Sequence, residues 1–221
     1  VFTSLFNDHL TYHGTAEKYH AAKKNIFKHQ ISEDLLIIPQ DDRDVTVLTA
    51  DAPSKVIEAR TIHDTIETEL LGKHNLSNIM IAVETLSQLG ISTKKTLSHT
   101  KTFMGLAHRL EKVGTFKGIT FYDDAISTTP ESTIAALNSL DNVSTIFLGG
   151  SNRGYDFSDL LSKIRESNIR NIVLFPETGN LMFEELKNME CTILQTESME
   201  DAVKFAYTHA KADTTCLLST A

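Results

Sequence analysis

Cysteine and proline are scarce in this chain, and a long apolar run is missing altogether. The two cysteines among 221 residues, Cys191 and Cys216, are far apart and lack a CxxC partner. A disulfide framework or thiolate metal site is therefore disfavoured, and free thiols in a reducing, cytoplasmic setting are expected. No stretch reaches the roughly 18 apolar residues that mark a membrane span. An excess of positive charge is also lacking: the net charge is −8, which weighs against a general nucleic-acid-binding surface while leaving room for a local basic pocket. No GxxxxGK[ST] sequence occurs, and the pair Gly149-Gly150 misses the GxGxxG spacing, so neither phosphate-binding fingerprint is present. There is no internal repeat. With 41% hydrophobic and 23% charged residues and only four prolines, the composition is that of a soluble globular protein holding one large domain or two modest ones.

What is present is organised around residues 121–137. Gly118-Ile119-Thr120-Phe121-Tyr122 reads as a strand, and 130–140 as a helix with Thr129 at its N-cap and Pro130 at the first position, where a missing N–H costs nothing. Between them stand Asp123, Asp124, Ser127 and Thr128. A strand that ends in two carboxylates and opens a helix through hydroxyls offers acceptors and free N–H groups at one sheet edge, which suits ribose and anionic groups.

Ahead of this stretch, 1–5 reads as an apolar strand delivering Asn7-Asp8-His9 to its end, and a helix is expected over 16–29 with Tyr19, Ala22, Ile26 and Phe27 on its apolar face. The strand-like start and the strand-like run 217–221 suggest an interior piece of a longer chain, cut at both ends. Strand-like runs at 35–38, 45–48 and 56–62 predict a small antiparallel or mixed sheet. Gly72 opens a helix to about 89 whose first turn carries Asn75 and Asn78. Two carboxamides there suit an adenine edge, with an N-cap and a solvated side chain as the plainer alternative. A helix over 93–103 follows.

Residues 104–111 read as a domain junction, dividing 1–105 from 106–221. Beyond it, strands are expected near 111–115, 119–122, 145–148, 171–174, 192–195 and 215–218, alternating with helices near 130–140, 157–165, 179–187 and 199–209. This α/β alternation predicts a Rossmann-like, mostly parallel sheet covered on both faces. The loop Gly149-Gly150-Ser151-Asn152-Arg153 combines close backbone approach with a fixed cation.

Taken in order, Asn7-Asp8-His9 with Tyr19-His20-Ala21-Ala22-Lys23, His74-Asn75 with Asn78, His108-Arg109-Leu110-Glu111 with Asp123-Asp124 and Thr128, and Gly149-Gly150 with Arg153 and Asp156-Phe157 resemble the Mur ligase family. These are ATP-dependent amide-bond ligases of peptidoglycan precursor synthesis, and the likeness is to the branch that adds glutamate to UDP-N-acetylmuramoyl-L-alanine. The resemblance implies the latter part of a P-loop-type central domain followed by the C-terminal domain, with the phosphate cradle upstream of Val1 and this piece alone inactive. It implies ATP and Mg²⁺ as cofactors and a monomer as the working unit. His9 corresponds to the Mg²⁺ ligand, and Lys23 to a lysine carried as a metal-binding carbamate, with Lys24 as the alternative register. Asn75 and Asn78 would lie near the adenine, Arg109 near the ATP phosphates and Asp124 on the ribose hydroxyls. Thr128, Arg153 and Ser219 would grip the glutamate carboxylates. Two positions depart from the family pattern: Arg153 stands where lysine is common, and Ile126 where glutamate-adding members usually carry lysine. D-glutamate is the first expectation and L-glutamate or a folylpolyglutamate-type substrate the rival. A non-catalytic nucleotide-binding module is the alternative from another class. His9-x-x-x-His13 fails as a zinc-hydrolase motif, because Leu10 stands where HExxH requires glutamate.

Overall fold

The structure, a computed structural model, describes residues 1–6, 9–60 and 66–220. It divides into two compact units, Val1–Met104 and Gly105–Ala221.

The first unit begins with an extended segment that makes a backbone bond from Phe2 to Ile37 (2.9 Å) and is not a strand, contrary to expectation. Helices α1 (Leu10–His13) and α2 (Ala16–Lys24) follow, the first stopped at Gly14 (φ 83°) and the second opened by Thr15, whose hydroxyl accepts from the Lys18 amide. Strand β1 (Leu35–Pro39) is followed by helix α3 (Arg43–Thr49) and strand β2 (Lys55–Ala59). A strand was expected over 45–48. The Asp42 carboxylate accepts the Val45 N–H and caps a helix there, which overrides the β-branched run Val45-Thr46-Val47. β1 and β2 pair in parallel rather than antiparallel. Alternation along β1 sends Leu36 and Ile38 into a cluster with Phe2, Phe27, Val45 and Leu48, and Ile37 towards Met80 and Ile81 of α4 (Lys73–Gln88). Helix α5 (Thr93–Thr100) completes the unit.

The second unit contains β3 (Glu111–Phe116), β4 (Ile119–Asp124), α6 (Pro130–Ser139), β5 (Val143–Leu148), α7 (Ser158–Glu166), β6 (Asn171–Leu174), α8 (Thr178–Leu186), β7 (Thr192–Gln195), α9 (Met199–His209) and β8 (Thr214–Ser219). The six strands form one sheet in the order β3-β4-β8-β5-β6-β7, with only the β3–β4 pair antiparallel. Successive crossovers from β4 to β7 step outward past β8's slot, and the last returns to fill it. Right-handed connections therefore place α6, α7 and α8 on one face and α9 on the other. Phe147, Val173 and Cys216 pack against Ala202, Phe205 and Ala206 of α9. On the opposite face Ile146, Leu148, Ile172, Leu174 and Leu217 are all at most 1% exposed. Each such side chain contributes roughly 1.5–3 kcal/mol by leaving water. Burial on both faces makes these strands unbroken apolar runs, and it pushes the Cys216 thiol up to about 12.

Candidate functional site

In the second unit, the candidate groups gather where β4, β8 and β5 end. These neighbouring strands are parallel, Asp124 is the register partner of Ser219, and Phe147 that of Leu218, so the turn after β4, the end of β8 and the loop after β5 share one sheet edge. Such carboxyl edges are where open α/β sheets seat ligands.

The two aspartates at the end of β4 point to opposite faces, as strand alternation requires. Asp124 is 3% exposed. Its Oδ1 accepts the Leu110 amide (2.9 Å), and its Oδ2 accepts the hydroxyls of Ser127 and of Ser219 (3.0 Å). Ser219 is itself fully buried and shares a hydrogen bond with Thr133 of α6 (2.8 Å). A carboxylate has about four acceptor sites, so the one expected at the ribose has three already filled. Asp123 is partly exposed; its Oδ1 accepts the Ala125 amide (2.9 Å) and its Oδ2 meets His108 Nδ1 at 2.7 Å. That hydrogen bond, with the charge of Asp123 behind it and Glu111 nearby, raises the pKa of His108. The His108 amide donates to Glu111 Oε2 (2.8 Å), and the His108 carbonyl accepts the Ile126 amide (3.1 Å). Arg109 lies exposed between these anchored neighbours.

Thr128 is exposed just before α6, where Thr129 and Ser132 form a reciprocal capping box. Thr220 Oγ1 donates to the carbonyls of Ala125 (2.9 Å) and Ser127 (3.1 Å), stitching the end of β8 to the same turn. The loop after β5 is equally determined. Gly149 has φ 128°, and a Cβ there would lie 2.2 Å from the Phe175 carbonyl oxygen. Gly150's carbonyl accepts the amides of Glu177 (2.8 Å) and Thr178 (3.0 Å), and Glu177 Oε2 accepts the Asn152 amide (3.0 Å). Arg153 stands exposed on this braced loop. Ile126 is 47% exposed and adds an apolar surface to the neighbouring turn.

The first unit carries its candidates on helix surfaces. His9 is exposed, with φ 52°, immediately before α1; Asn7 and Asp8, read together with it in the sequence, lie outside the described residues. On α2, Lys24 Nζ meets both Asp51 oxygens at 2.8 Å, whereas Lys23 is exposed with Nζ 5.3 Å from the centre of the Tyr19 ring. The two registers thus differ in kind: one lysine is tied to a carboxylate and the other lies over an aromatic face. The N-cap of α4 is Gly72 rather than an asparagine. Asn75 donates to the Leu71 carbonyl (2.8 Å), and Asn78 donates to Asn75 Oδ1 at 3.5 Å, a long bond on an exposed side chain.

An imidazole and an ammonium are a poor set for Mg²⁺, which takes oxygen ligands. A carbamate on Lys23 would replace the cation with two oxygens, and the exposure of Lys23 leaves its amine reachable for that chemistry. Among the described residues, His108, Glu111 and Asp123 bring ligand atoms within 4.8 Å of one another, but there the imidazole is already bonded to Asp123. The sequence reading used Asp123 as one of two adjacent strand-end carboxylates and quoted His108, Glu111 and Asp123 among the residues that carry the resemblance, but gave none of the three a ligand role of its own, and it gave Thr133 none either.

The carboxylates, hydroxyls and glycine loop with its cation thus lie together at the carboxyl ends of parallel strands in an open α/β sheet. Residues 108–221 match the family described as Mur ligase, glutamate ligase domain, and residues 1–65 match the Mur ligase middle domain. The chain belongs to the Mur ligase family. It is 32% identical over 243 aligned residues to the UDP-N-acetylmuramoylalanine--D-glutamate ligase of Bacillus cereus (strain G9842), a match that takes in 100% of this chain and 54% of that relative. The chain thus spans about half the length of the curated relatives it matches. Among solved structures, MurF from Acinetobacter baumannii is similar with a TM-score of 0.79 at 19% identity, over 99% of this chain and 55% of that one. MurF ligase from Thermotoga maritima, in complex with ADP, gives 0.75 at 16% identity, over 96% and 56%. At such identities the likeness is one of fold. Among the described residues no helix is long and apolar enough to cross a membrane.

Proposed function

We propose that this chain is the ATP-handling and amino-acid-handling part of a cytoplasmic ligase that joins glutamate, D-glutamate first, to UDP-N-acetylmuramoyl-L-alanine. Residues 1–105 form the latter part of its central domain and 106–221 its C-terminal domain. The observation that carries this reading is the sharing of one sheet edge by Asp124, Ser219, Thr128 and the Arg153 loop, in a chain of this family that aligns along its whole length with a relative named for that reaction. ATP phosphorylates the terminal carboxylate of the nucleotide-linked substrate, the amine of glutamate attacks the acyl phosphate, and phosphate leaves. Negative charge moves between oxygens at every step, so such a site needs cations and aimed donors more than a nucleophile of its own.

In this reading Arg109 meets the ATP phosphates, Asn75 and Asn78 the adenine edge, and Asp124 the nucleotide end of the site. Arg153 holds a glutamate carboxylate with its planar fork, supported by Thr128 and by Ser219 behind it. His9 and carbamylated Lys23 would hold Mg²⁺, which supplies charge neutralisation at the phosphates. Ile126 in place of the family lysine removes a cation from this edge and makes L-glutamate the enantiomer to compare.

The test is phosphate release by the full-length protein with ATP, UDP-N-acetylmuramoyl-L-alanine and each glutamate enantiomer. Release dependent on D-glutamate is expected; a folded protein that releases none with either enantiomer refutes the reading. Arg153→Ala should raise the KM for glutamate by about ten-fold or more, the size of one charged contact, with the KM for ATP nearly unchanged. Equal effects on both would remove Arg153 from the glutamate site.

A further inference from the structure

Arg153 stands on a loop whose backbone is held by another part of the chain. Residues 149–154 leave the end of β5, and the segment that grips them, 175–178, joins β6 to α8. Leu148 and Leu174 are register partners on parallel strands, so the loops that follow them leave the sheet side by side. Gly149 leaves no room for a Cβ beside the Phe175 carbonyl, and the Gly150 carbonyl accepts the amides of Glu177 (2.8 Å) and Thr178 (3.0 Å). These anchors are main-chain groups and survive a change of side chain at 177. The next one does not: the Asn152 amide donates to Glu177 Oε2 (3.0 Å). Asn152 in turn accepts the Gly154 amide on its own Oδ1 (2.9 Å), ahead of a left-handed backbone at Gly154 (φ 76°). Arg153 is thus the middle residue of a turn whose first amide is fixed by Glu177 and whose last amide is fixed by Asn152. An exposed arginine has several rotatable bonds of its own, so the reach of its guanidinium is decided first by where its backbone is held.

We propose that Glu177 is a positioning residue for Arg153: by holding the Asn152 amide, its carboxylate sets the turn Asn152-Arg153-Gly154 so that the guanidinium is presented to a glutamate carboxylate. The inference rests on the reading of Arg153 as the glutamate-binding cation and adds to it the residue that fixes its place. What position 177 must supply is an acceptor oxygen rather than a charge, and a glutamine carries one. The bond is exposed, so water competes for it and its loss has the effect of one net hydrogen bond.

The experiment is a double-mutant cycle in the full-length protein, read as separate KM values for glutamate and ATP. Glu177→Ala keeps the backbone bonds to Gly150 and should raise the KM for glutamate about five-fold, with the KM for ATP within about two-fold of wild type. Glu177→Gln should recover most of that loss. In an Arg153→Ala background, Glu177→Ala should raise the KM for glutamate no further. A Glu177→Gln variant as impaired as Glu177→Ala would overturn the proposal, because the charge and not the bond to Asn152 would then be at work. A second rise of about five-fold in the Arg153→Ala background would overturn it too, since Glu177 would then act independently of Arg153. Equal rises in both KM values would do the same, as the mark of a general disturbance. A raised KM for glutamate in Arg153→Ala beside a wild-type KM in Glu177→Ala would remove Glu177 and leave Arg153 in the site. A wild-type KM for glutamate in Arg153→Ala would remove the glutamate role of Arg153, and the proposal with it.

Discussion

The two compact units present their candidate ligand-binding residues in opposite ways. In Gly105–Ala221 those residues stand on the rim of a buried polar network, whereas in Val1–Met104 they stand on exposed helix surfaces. A buried carboxylate such as Asp124 must have its hydrogen bonds satisfied, because an unpaired one is expensive, and satisfying them fixes every backbone segment that supplies a partner. Rigidity at the rim is therefore a by-product of desolvation in the interior. Lys23 and Asn78 are exposed, and the contacts described for them are with a neighbouring ring and a neighbouring carboxamide on the same helix rather than with a buried polar centre.

That contrast breaks most readily at Asp124. Asp124→Ala leaves the Leu110 amide and two buried hydroxyls without their acceptor and should lower stability by about 3 kcal/mol or more, read as a fall in the urea midpoint of the full-length protein. An unchanged midpoint would show that the network holds nothing in place. A smaller effect is expected in the first unit. Lys24→Ala removes the pair with Asp51 and should move the urea midpoint only slightly, since the Asp51 carboxylate is open to solvent and water screens the pair. Lys23→Ala should leave the midpoint alone within about 0.5 kcal/mol and instead depress ligation, with partial recovery on adding formate or acetate. Full activity without Lys23 would take it out of the site. The smallest effect concerns His108. Its pKa is raised in the folded state by Asp123, so the stabilisation from this pair is complete below the ordinary histidine value of about 6.5 and is lost as pH climbs through the raised one. An NMR titration should find His108 above the ordinary value in the native protein and close to it in Asp123→Asn; identical titrations would dissolve the pair.

Much of the second unit was legible in the sequence because its strands are buried on both faces. Runs such as Thr145-Ile146-Phe147-Leu148 and Asn171-Ile172-Val173-Leu174 are short, apolar and bounded by turns, and Thr129-Pro130 marks a helix start locally. Where β-branched residues met a local cap, the outcome reversed: Val45-Thr46-Val47 has a strand's composition, but Asp42 three residues earlier decides for a helix. The pairing of β1 with β2 was beyond reach for another reason, since parallel or antiparallel pairing depends on the path of the intervening chain. The site was legible as a set of segments, not as a set of contacts. Which of two adjacent aspartates faces inward depends on the register of β4 against β8, and so on Ser219, 95 residues away. Which of two adjacent lysines is tied down depends likewise on Asp51, 27 residues from Lys24. Motif spacing names the residues; only tertiary pairing divides the labour between neighbours.

The slot occupied by β8 has a consequence for biosynthesis. The strand that is synthesised last among the six lies between two of the earlier ones, β4 and β5, so a nascent chain emerging from the ribosome must keep those two apart until it arrives. Because β8 also brings the Ser219 hydroxyl to Asp124, translation through about residue 219 both closes the sheet and completes the environment of that carboxylate. A product released before residue 214 would lack both together and would leave the facing edges of β4 and β5 unpaired.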